Sequence, residues 1–279
     1  MPTGTLYIVA TPIGNLADMT ARAVQVLHNV HLIACEDTRT SRILLDHYQV
    51  TSPTISLHKF SEARRTATIL ERLSRGEDVA LISDAGTPAV SDPGARVVKA
   101  ALEKGYRVVP IPGASSIISA LAVSGMDCSS FVYLGFVPRK DAERQRFFQA
   151  LRNEPRSSLF FETPRRIVPT MEVAADILGE RRIVLMRELT KLHEEVLPGT
   201  PQTVLDSLKA RTSIKGEIIV VVEGASQAES TVDLEEAVKS LMLEGLSGKR
   251  LAQEAQNRYG VSKNAAYQKF LEMKDRLET

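Results

Sequence analysis

The chain has no tryptophan and only two cysteines, Cys35 and Cys128. Two thiols are too few for a disulfide framework or a cysteine-rich metal site, and they fit a reducing compartment. Histidine is sparse as well. His28, His31, His47, His58 and His193 never fall at HxxxH or HExxH spacing, so no metal site is expected. Charge of one sign is missing: 35 Lys and Arg face 34 Asp and Glu, a net charge of +1. No global field therefore advertises a nucleic acid or a membrane, although a local basic patch can hide in a balanced total. No apolar run approaches the length of a membrane span, and no basic-then-apolar leader opens the chain, so the expectation is a soluble, cytoplasmic protein. GxxxxGK[ST], GxGxxG and GxSxG are all absent, which lowers nucleoside triphosphate, dinucleotide and serine-hydrolase readings.

What is present is ordinary globular composition, 43% hydrophobic and 25% charged over 279 residues, enough for one large or two ordinary domains. Short apolar runs at 6–10, 31–35, 55–58, 79–83 and 106–110 read as strands separated by helical periods. Thr20 is placed to cap a helix carrying Ala23, Val24 and Leu27. Runs without alternation predict strands buried on both faces, hence an α/β fold. The pattern restarts after PGASS at 112–116. A helix over 116–124 leads to strands at 131–134, 159–161, 183–186 and 218–222, with helices near 166–178 and 201–210. The expected units are 1–114, 115–225 and 231–279. The last follows a small-residue linker at 224–230 and has a purely helical period, with Ser247 and Ser262 as caps and Gly245 and Gly260 as stops. Its helix, glycine turn and helix are helix-turn-helix-like. Six basic residues against two acidic ones between 247 and 274 fit a solvated face and also fit a nucleic-acid contact.

In open α/β sheets ligands sit beyond the carboxyl ends of strands, which selects loops 11–15, 36–42, 84–94 and 110–116. In SDAGTP, residues 83–88, Gly86 permits a backbone path closed to a Cβ, and small neighbours leave main-chain groups open to a ligand. Asp92 followed by Pro93 reads as the cap and start of the next helix. Ser115 and Ser116 suit a helix cap or a ligand carboxylate at the helix N-terminus. Glu36, Asp37, Thr38 and Arg39 gather charge at a strand end, with Arg42 as a second phosphate-capable fork.

VATPIGNL at 9–16, CEDTR at 35–39, SDAGTP at 83–88 and PGASS at 112–116, in that order, resemble the tetrapyrrole methylase superfamily. They resemble most closely its ribosomal RNA branch, the bacterial small-subunit rRNA (cytidine) 2′-O-methyltransferases. The resemblance spans residues 5 to about 223, and the helical tail fits that branch. It implies a class III methyltransferase fold of two α/β domains, a homodimer, and S-adenosylmethionine in the cleft between the domains. Pro12, Asp84, Ala85, Gly86, Thr87, Ser115 and Ser116 would lie near the cofactor. The second-domain strand ends near Leu134, Phe161 and Met186, including Phe136 and Glu162, would close over it. The substrate implied is a cytidine in 16S rRNA near the decoding centre, within the small ribosomal subunit. Tetrapyrrole-modifying members carry a glycine-rich first loop and a Gly-Asp-Pro-like second one. Here Thr11-Pro12-Ile13-Gly14 and Ser83-Asp84-Ala85-Gly86 stand instead, which argues against a porphyrinoid substrate. On this reading Asp37 and Glu36 are the acidic candidates for proton removal, with Arg39 beside them and His58 a distant third. Arg39, Arg42, Arg139, Lys140, Lys249, Arg250 and Lys263 are the candidates for RNA phosphates.

Overall fold

The computed structural model describes residues 3–58, 61–225, 233–259 and 261–277. The first half builds one sheet from β1 (Thr5–Val9), β2 (Leu32–Cys35), β3 (Thr54–Ser56), β4 (Val79–Ile82) and β5 (Arg107–Ile111). The order is β3-β2-β4-β1-β5, and every pairing is parallel. β2 and β4 are buried at every position, because helices cover both faces. On one face Ala23 and Leu27 of α1 (Ala21–Asn29) and Leu44 and Leu45 of α2 (Thr38–His47) pack on Val9, Ile33 and Ile82. On the other, Ile69 and Leu73 of α3 (Glu62–Ser74) and Val97 and Ala101 of α4 (Ala95–Glu103) pack on Leu6, Leu32 and Leu81.

One local expectation is overturned. Asp92 and Pro93 do not start α4. The chain passes through positive φ at Ala89 (68°) and again at Gly94 (131°), so the helix begins only at Ala95. A distant side chain supplies the cap: Glu62 Oε1 accepts from the backbone N–H of Gly94 at 3.0 Å and of Arg96 at 3.3 Å.

The second half forms a sheet of different character. It contains β6 (Phe131–Phe136), β7 (Ser157–Glu162), β8 (Ile183–Arg187), β9 (Glu195–Gly199) and β10 (Ile218–Val222), in the order β6-β7-β10-β8-β9. Only β6 and β7 run parallel, while β10 is antiparallel to both its neighbours and β9 is antiparallel to β8. α6 (Asp141–Leu151), α7 (Ile167–Leu178) and α8 (Pro201–Lys209) cover one face through Phe148, Met171 and Leu205. The other face carries α5 (Ser116–Ser124), whose Ala120 and Leu121 pack on Leu159, Val184 and Ile219. α6 and β9 were not anticipated from sequence. β6 runs two residues beyond the expected 131–134, past a register shift between Tyr133 and Phe136 where Gly135 takes φ +67°.

The tail folds as α9 (Leu234–Leu243), α10 (Gly248–Tyr259) and α11 (Lys263–Leu277) around Val238, Leu241, Leu251, Ala255 and Phe270. Residues 226–230 of the expected linker, and Gly260, lie outside the described residues.

Candidate functional site

The loops after β1 and β4 form one hydrogen-bonded unit. Thr11 and Gly86 exchange backbone hydrogen bonds, Thr11 N–H donating at 2.9 Å and Gly86 N–H at 3.0 Å. The buried Thr11 hydroxyl donates to the Ser83 carbonyl at 3.1 Å. Gly86 sits at φ +74°, and a Cβ there would lie 3.3 Å from Ile13 Cγ2. The next segment turns back at Ala89 and presents Val90, Ser91 and Asp92. Ser115 caps α5 by accepting from Ile118 N–H at 3.4 Å, so the positive end of that helix faces the same space.

These pieces wall one side of a cavity of about 340 Å³. The opposite wall comes from the second sheet: Phe136 at the end of β6, residues 161–164 at the end of β7, Leu189 beyond β8, and residues 216–219 at the start of β10. The two walls touch directly. The Ser91 and Tyr133 hydroxyls are hydrogen-bonded, and a Cβ on Gly14 would collide with the Lys191 side chain. Lys191 is itself held by Glu188 (2.9 Å) and Glu217 (3.0 Å). Glu162 fixes the β7 corner. Its fully buried carboxylate accepts from Thr163 N–H at 2.6 Å and from the Thr170 hydroxyl at 2.8 Å, and pairs with Arg166 at 2.5 Å.

Charge is unevenly spread over the first wall. Burial raises the carboxyl pKa of Glu36, Asp84 and Asp92, and repulsion from neighbouring acids adds to it, from Asp92, Asp84 and Asp37 on Glu36, from Asp37 on Asp84 and from Asp84 on Asp92. None of the three has a cationic partner among the described residues. Asp37 differs. It caps α2, accepts from the Arg39 backbone at 2.8 Å and binds the Arg39 guanidinium at 2.7 Å. Those hydrogen bonds lower its pKa to about 2.

Of the residues singled out from sequence, Ala85, Gly86, Thr87, Ser115, Ser116 and Phe161 line the cavity, as do Phe136 and Glu162. Pro12 and Asp84 lie next in the chain to lining residues without lining it. Leu134 packs instead on the α6–α8 side of the sheet, and Met186, 0% exposed, faces α5. Glu36 and Asp37 follow β2, next to β4, with Asp84 Oδ1 accepting from Asp37 N–H at 3.2 Å. Arg39 is closed on Asp37 and Arg42 on Asp46, while Lys140 pairs with Glu143. His58 is exposed at the surface. Lys249 and Arg250 are exposed on α10, and Lys263, at the start of α11, donates to Gln253 at 2.8 Å. Asp92, Leu189 and residues 216–219 were not foreseen as cavity residues. Asp92 carried a helix-cap signal. Residues 216–219 span the start of a strand, and a rule about the carboxyl ends of strands finds them only if that strand is known to run antiparallel. Among the described residues no His, Cys, Asp and Glu group is arranged to hold a metal, and no helix is long and apolar enough to cross a membrane.

Residues 5–205 match the family model described as Tetrapyrrole (Corrin/Porphyrin) Methylases. Over nearly its whole length the chain is similar to proteins named ribosomal RNA small subunit methyltransferase I. The one from Mesorhizobium japonicum is 43% identical, covering 97% of this chain and 92% of that protein. The one from Synechocystis sp. is 42% identical, covering 97% and 98%. Among solved structures, diphthine synthase superposes with a TM-score of 0.61 at 14% identity, covering 79% of this chain and 90% of that one. Uroporphyrin-III C-methyl transferase from Thermus thermophilus, complexed with S-adenyl homocysteine, gives 0.56 at 15% identity, covering 79% and 97%. At such identities these structures share the fold alone.

Proposed function

The chain belongs to the tetrapyrrole methylase family, and from that premise we propose that it methylates the ribose 2′-hydroxyl of a cytidine in 16S rRNA, using S-adenosylmethionine. The observation that carries the RNA reading is the extent of the likeness. The relatives named as small-subunit rRNA methyltransferases match 97% of the chain, helical tail included, whereas the family model stops at residue 205 and the tetrapyrrole and diphthine structures cover about four fifths. The working units are 1–114, 115–225 and 231–279, acting in the cytoplasm as a homodimer.

The residues present fit the cofactor. The cavity is of small-molecule size. Gly86 leaves bare backbone where a Cβ would press on Ile13. Ile13, Ile117, Phe161 and Leu189 offer apolar walls, and the acids of the first wall suit a cationic guest. The bound cofactor supplies a methyl group already activated on a sulfonium. The protein's work is then to align and to take up a proton. Ala85, Gly86 and Thr87 hold one side, and Ser115 and Ser116 at the α5 N-terminus receive a carboxylate. Three carboxylates line the cavity, and two are engaged: Glu162 by Arg166 and two threonines, Glu217 by Lys191. Asp92 has a hydrogen bond to the Ser83 side chain but no cationic partner, and is the one to accept the hydroxyl proton, with Glu36 and Asp84 behind it. A carboxyl raised toward the working pH is the better base. Asp37 and Arg39 position the start of α2. The exposed Lys249, Arg250 and Lys263 give the tail its RNA contacts.

The experiment incubates the protein with methyl-labelled S-adenosylmethionine and small subunits from cells lacking the activity, with free rRNA alongside, and maps the label. Label on a cytidine ribose is expected. No label on either substrate sinks the reading. Calorimetry with S-adenosylmethionine separates it from a non-catalytic assembly factor, which would not bind the cofactor.

A further inference from the structure

The edge of the second sheet that walls the cavity carries three cations without a partner. β6 ends at Phe136, β7 ends at Glu162, and antiparallel β10 begins at Ile218, with Phe136 paired to Phe161 and Ile218 to Glu162. Segments 137–140, 163–166 and 213–217 therefore emerge side by side. Val137 ties the first two together, donating to the Phe161 carbonyl at 3.2 Å and accepting from Arg166 Nη1 at 3.1 Å. Neighbouring strands lie about 4.8 Å apart, so β6 and β10 flank β7 across roughly 10 Å. Arg139, Arg165 and Lys215, one from each segment, are exposed. Among the described residues none of their side chains has an ion pair or hydrogen bond.

The carboxylates on and beside these segments are already engaged. Glu162 holds Arg166 at 2.5 Å, Glu217 holds Lys191 at 3.0 Å, Asp141 holds Arg144 at 2.6 Å and Glu143 holds Lys140 at 3.3 Å. The facing wall has the opposite imbalance. Arg39 and Arg42 are closed there on Asp37 and Asp46, and Glu36, Asp84 and Asp92 have no cationic partner among the described residues. A polyanion entering the cleft is repelled from the first wall and attracted to the second. Phe136, at the end of β6 three residues before Arg139, is 56% exposed although it lines the cavity, with its ring 5.4 Å from that of Phe161. An exposed aromatic ring on the same set of strand ends as unpaired cations suits an unstacked base with its phosphates better than an acidic peptide, which has no flat ring to stack.

We propose that Arg139, Arg165 and Lys215 form a phosphate rail for single-stranded RNA, with Phe136 as the stacking platform that turns the reacting nucleotide toward the acid wall. Arg165 and Lys215 thereby join Arg139 as positioning residues. The proposal rests on the RNA reading above and adds which wall carries the strand.

The test is the double variant Arg165→Gln/Lys215→Gln, with Phe136→Leu as a separate variant. Three quantities are read: S-adenosylmethionine affinity by calorimetry, KM for undermethylated small subunits, and binding of a fluorescent single-stranded oligoribonucleotide across a salt series. Each lost phosphate contact lowers the salt slope by about 0.7, so the double variant should lose about 1.4. Its KM should rise about tenfold at roughly 0.1 M salt, with cofactor affinity within about twofold of wild type. Lys215→Arg should keep the wild-type slope. Phe136→Leu should weaken oligoribonucleotide binding without changing the slope. An unchanged slope and KM in the double variant overturns the rail. So does loss of binding to a polyglutamate peptide with oligoribonucleotide binding intact. If wild type labels no RNA at all, the functional reading fails, and the oligoribonucleotide slope still decides the rail.

Discussion

Thr11 and Gly86, 75 residues apart, are joined through both of their backbone groups, at 2.9 and 3.0 Å. The bridge is antiparallel although β1 and β4 run parallel, so the chain turns back beyond the strand ends and the two loops that wall the cavity are tied to each other. Gly86→Ala would force a side chain into the left-handed region at a cost of about 1–2 kcal/mol and press its Cβ on Ile13. A lower melting temperature and a cofactor affinity weakened about tenfold are expected, read by thermal denaturation and calorimetry. Wild-type affinity in a folded Gly86→Ala protein would return this loop to the status of a turn.

On the proposed reading, the acid wall should make cofactor binding pH-dependent. Glu36, Asp84 and Asp92 hold their protons more tightly in the folded protein than in the unfolded chain. Their contribution to stability is therefore fully present below the unfolded carboxyl pKa of about 4 and is lost as pH rises through the raised values. A cationic ligand favours the ionised carboxylates and reverses that preference. S-adenosylmethionine affinity should strengthen as pH rises above about 4, with protons released on binding. Calorimetry in two buffers of different ionisation enthalpy measures the release. Asp84→Ala and Asp92→Asn should each reduce it and weaken binding in a protein that still folds. A proton count of zero across this range would remove the acids from the binding site.

Much of this was readable from residue order, and the remainder has identifiable causes. The apolar runs at β2 and β4 announce parallel strands because both faces are covered. Nothing in the spacing, however, gives the order β3-β2-β4-β1-β5. β9 escaped because Glu195-Val196-Leu197-Pro198-Gly199 is an edge strand, where a proline and a glycine are tolerated and one face stays wet. α6 escaped because its inward residues, Phe148 and Leu151, crowd its C-terminal half behind a charged start, and Arg144 is buried among them. On the first wall, small residues after strands marked the cavity correctly in space. On the second, strand direction decides which strand ends reach it: β10 runs antiparallel, so its start at 216–219 lines the cavity, while Met186, paired with Ile219 on the face covered by α5, does not.

Asp37 stood out in the sequence, but its geometry suits a structural task. Its carboxyl titrates at about 2 because Arg39 holds the ionised form. That stabilisation is present above the unfolded value and is lost only as pH falls through about 2. It cannot shape a rate profile near neutrality. Asp37→Asn should reduce transfer by loosening Arg39 and the start of α2, with the form of the pH–rate profile unchanged. Asp92→Asn should remove the acid limb. An acid limb that moves in Asp37→Asn and stays in Asp92→Asn would reverse these roles.

Glu162 joins the stability of the second sheet to the shape of the cavity. Its side chain is 0% exposed, and its loss would strip Arg166, itself 22% exposed, of its anion and leave the Thr170 hydroxyl without an acceptor. Breaking such a buried pair from one side costs about 3–5 kcal/mol, which in a protein of this size lowers the melting temperature by roughly 6–20 °C. Glu162→Gln keeps an acceptor for the threonines and should fall between wild type and Glu162→Ala. The corner at 162–164 also walls the cavity, so cofactor affinity should decline in the same order. Thermal melts and calorimetry on the three proteins check both rankings. A Glu162→Ala protein that melts with wild type would mean that the corner is held by its backbone and that Arg166 finds solvent without cost.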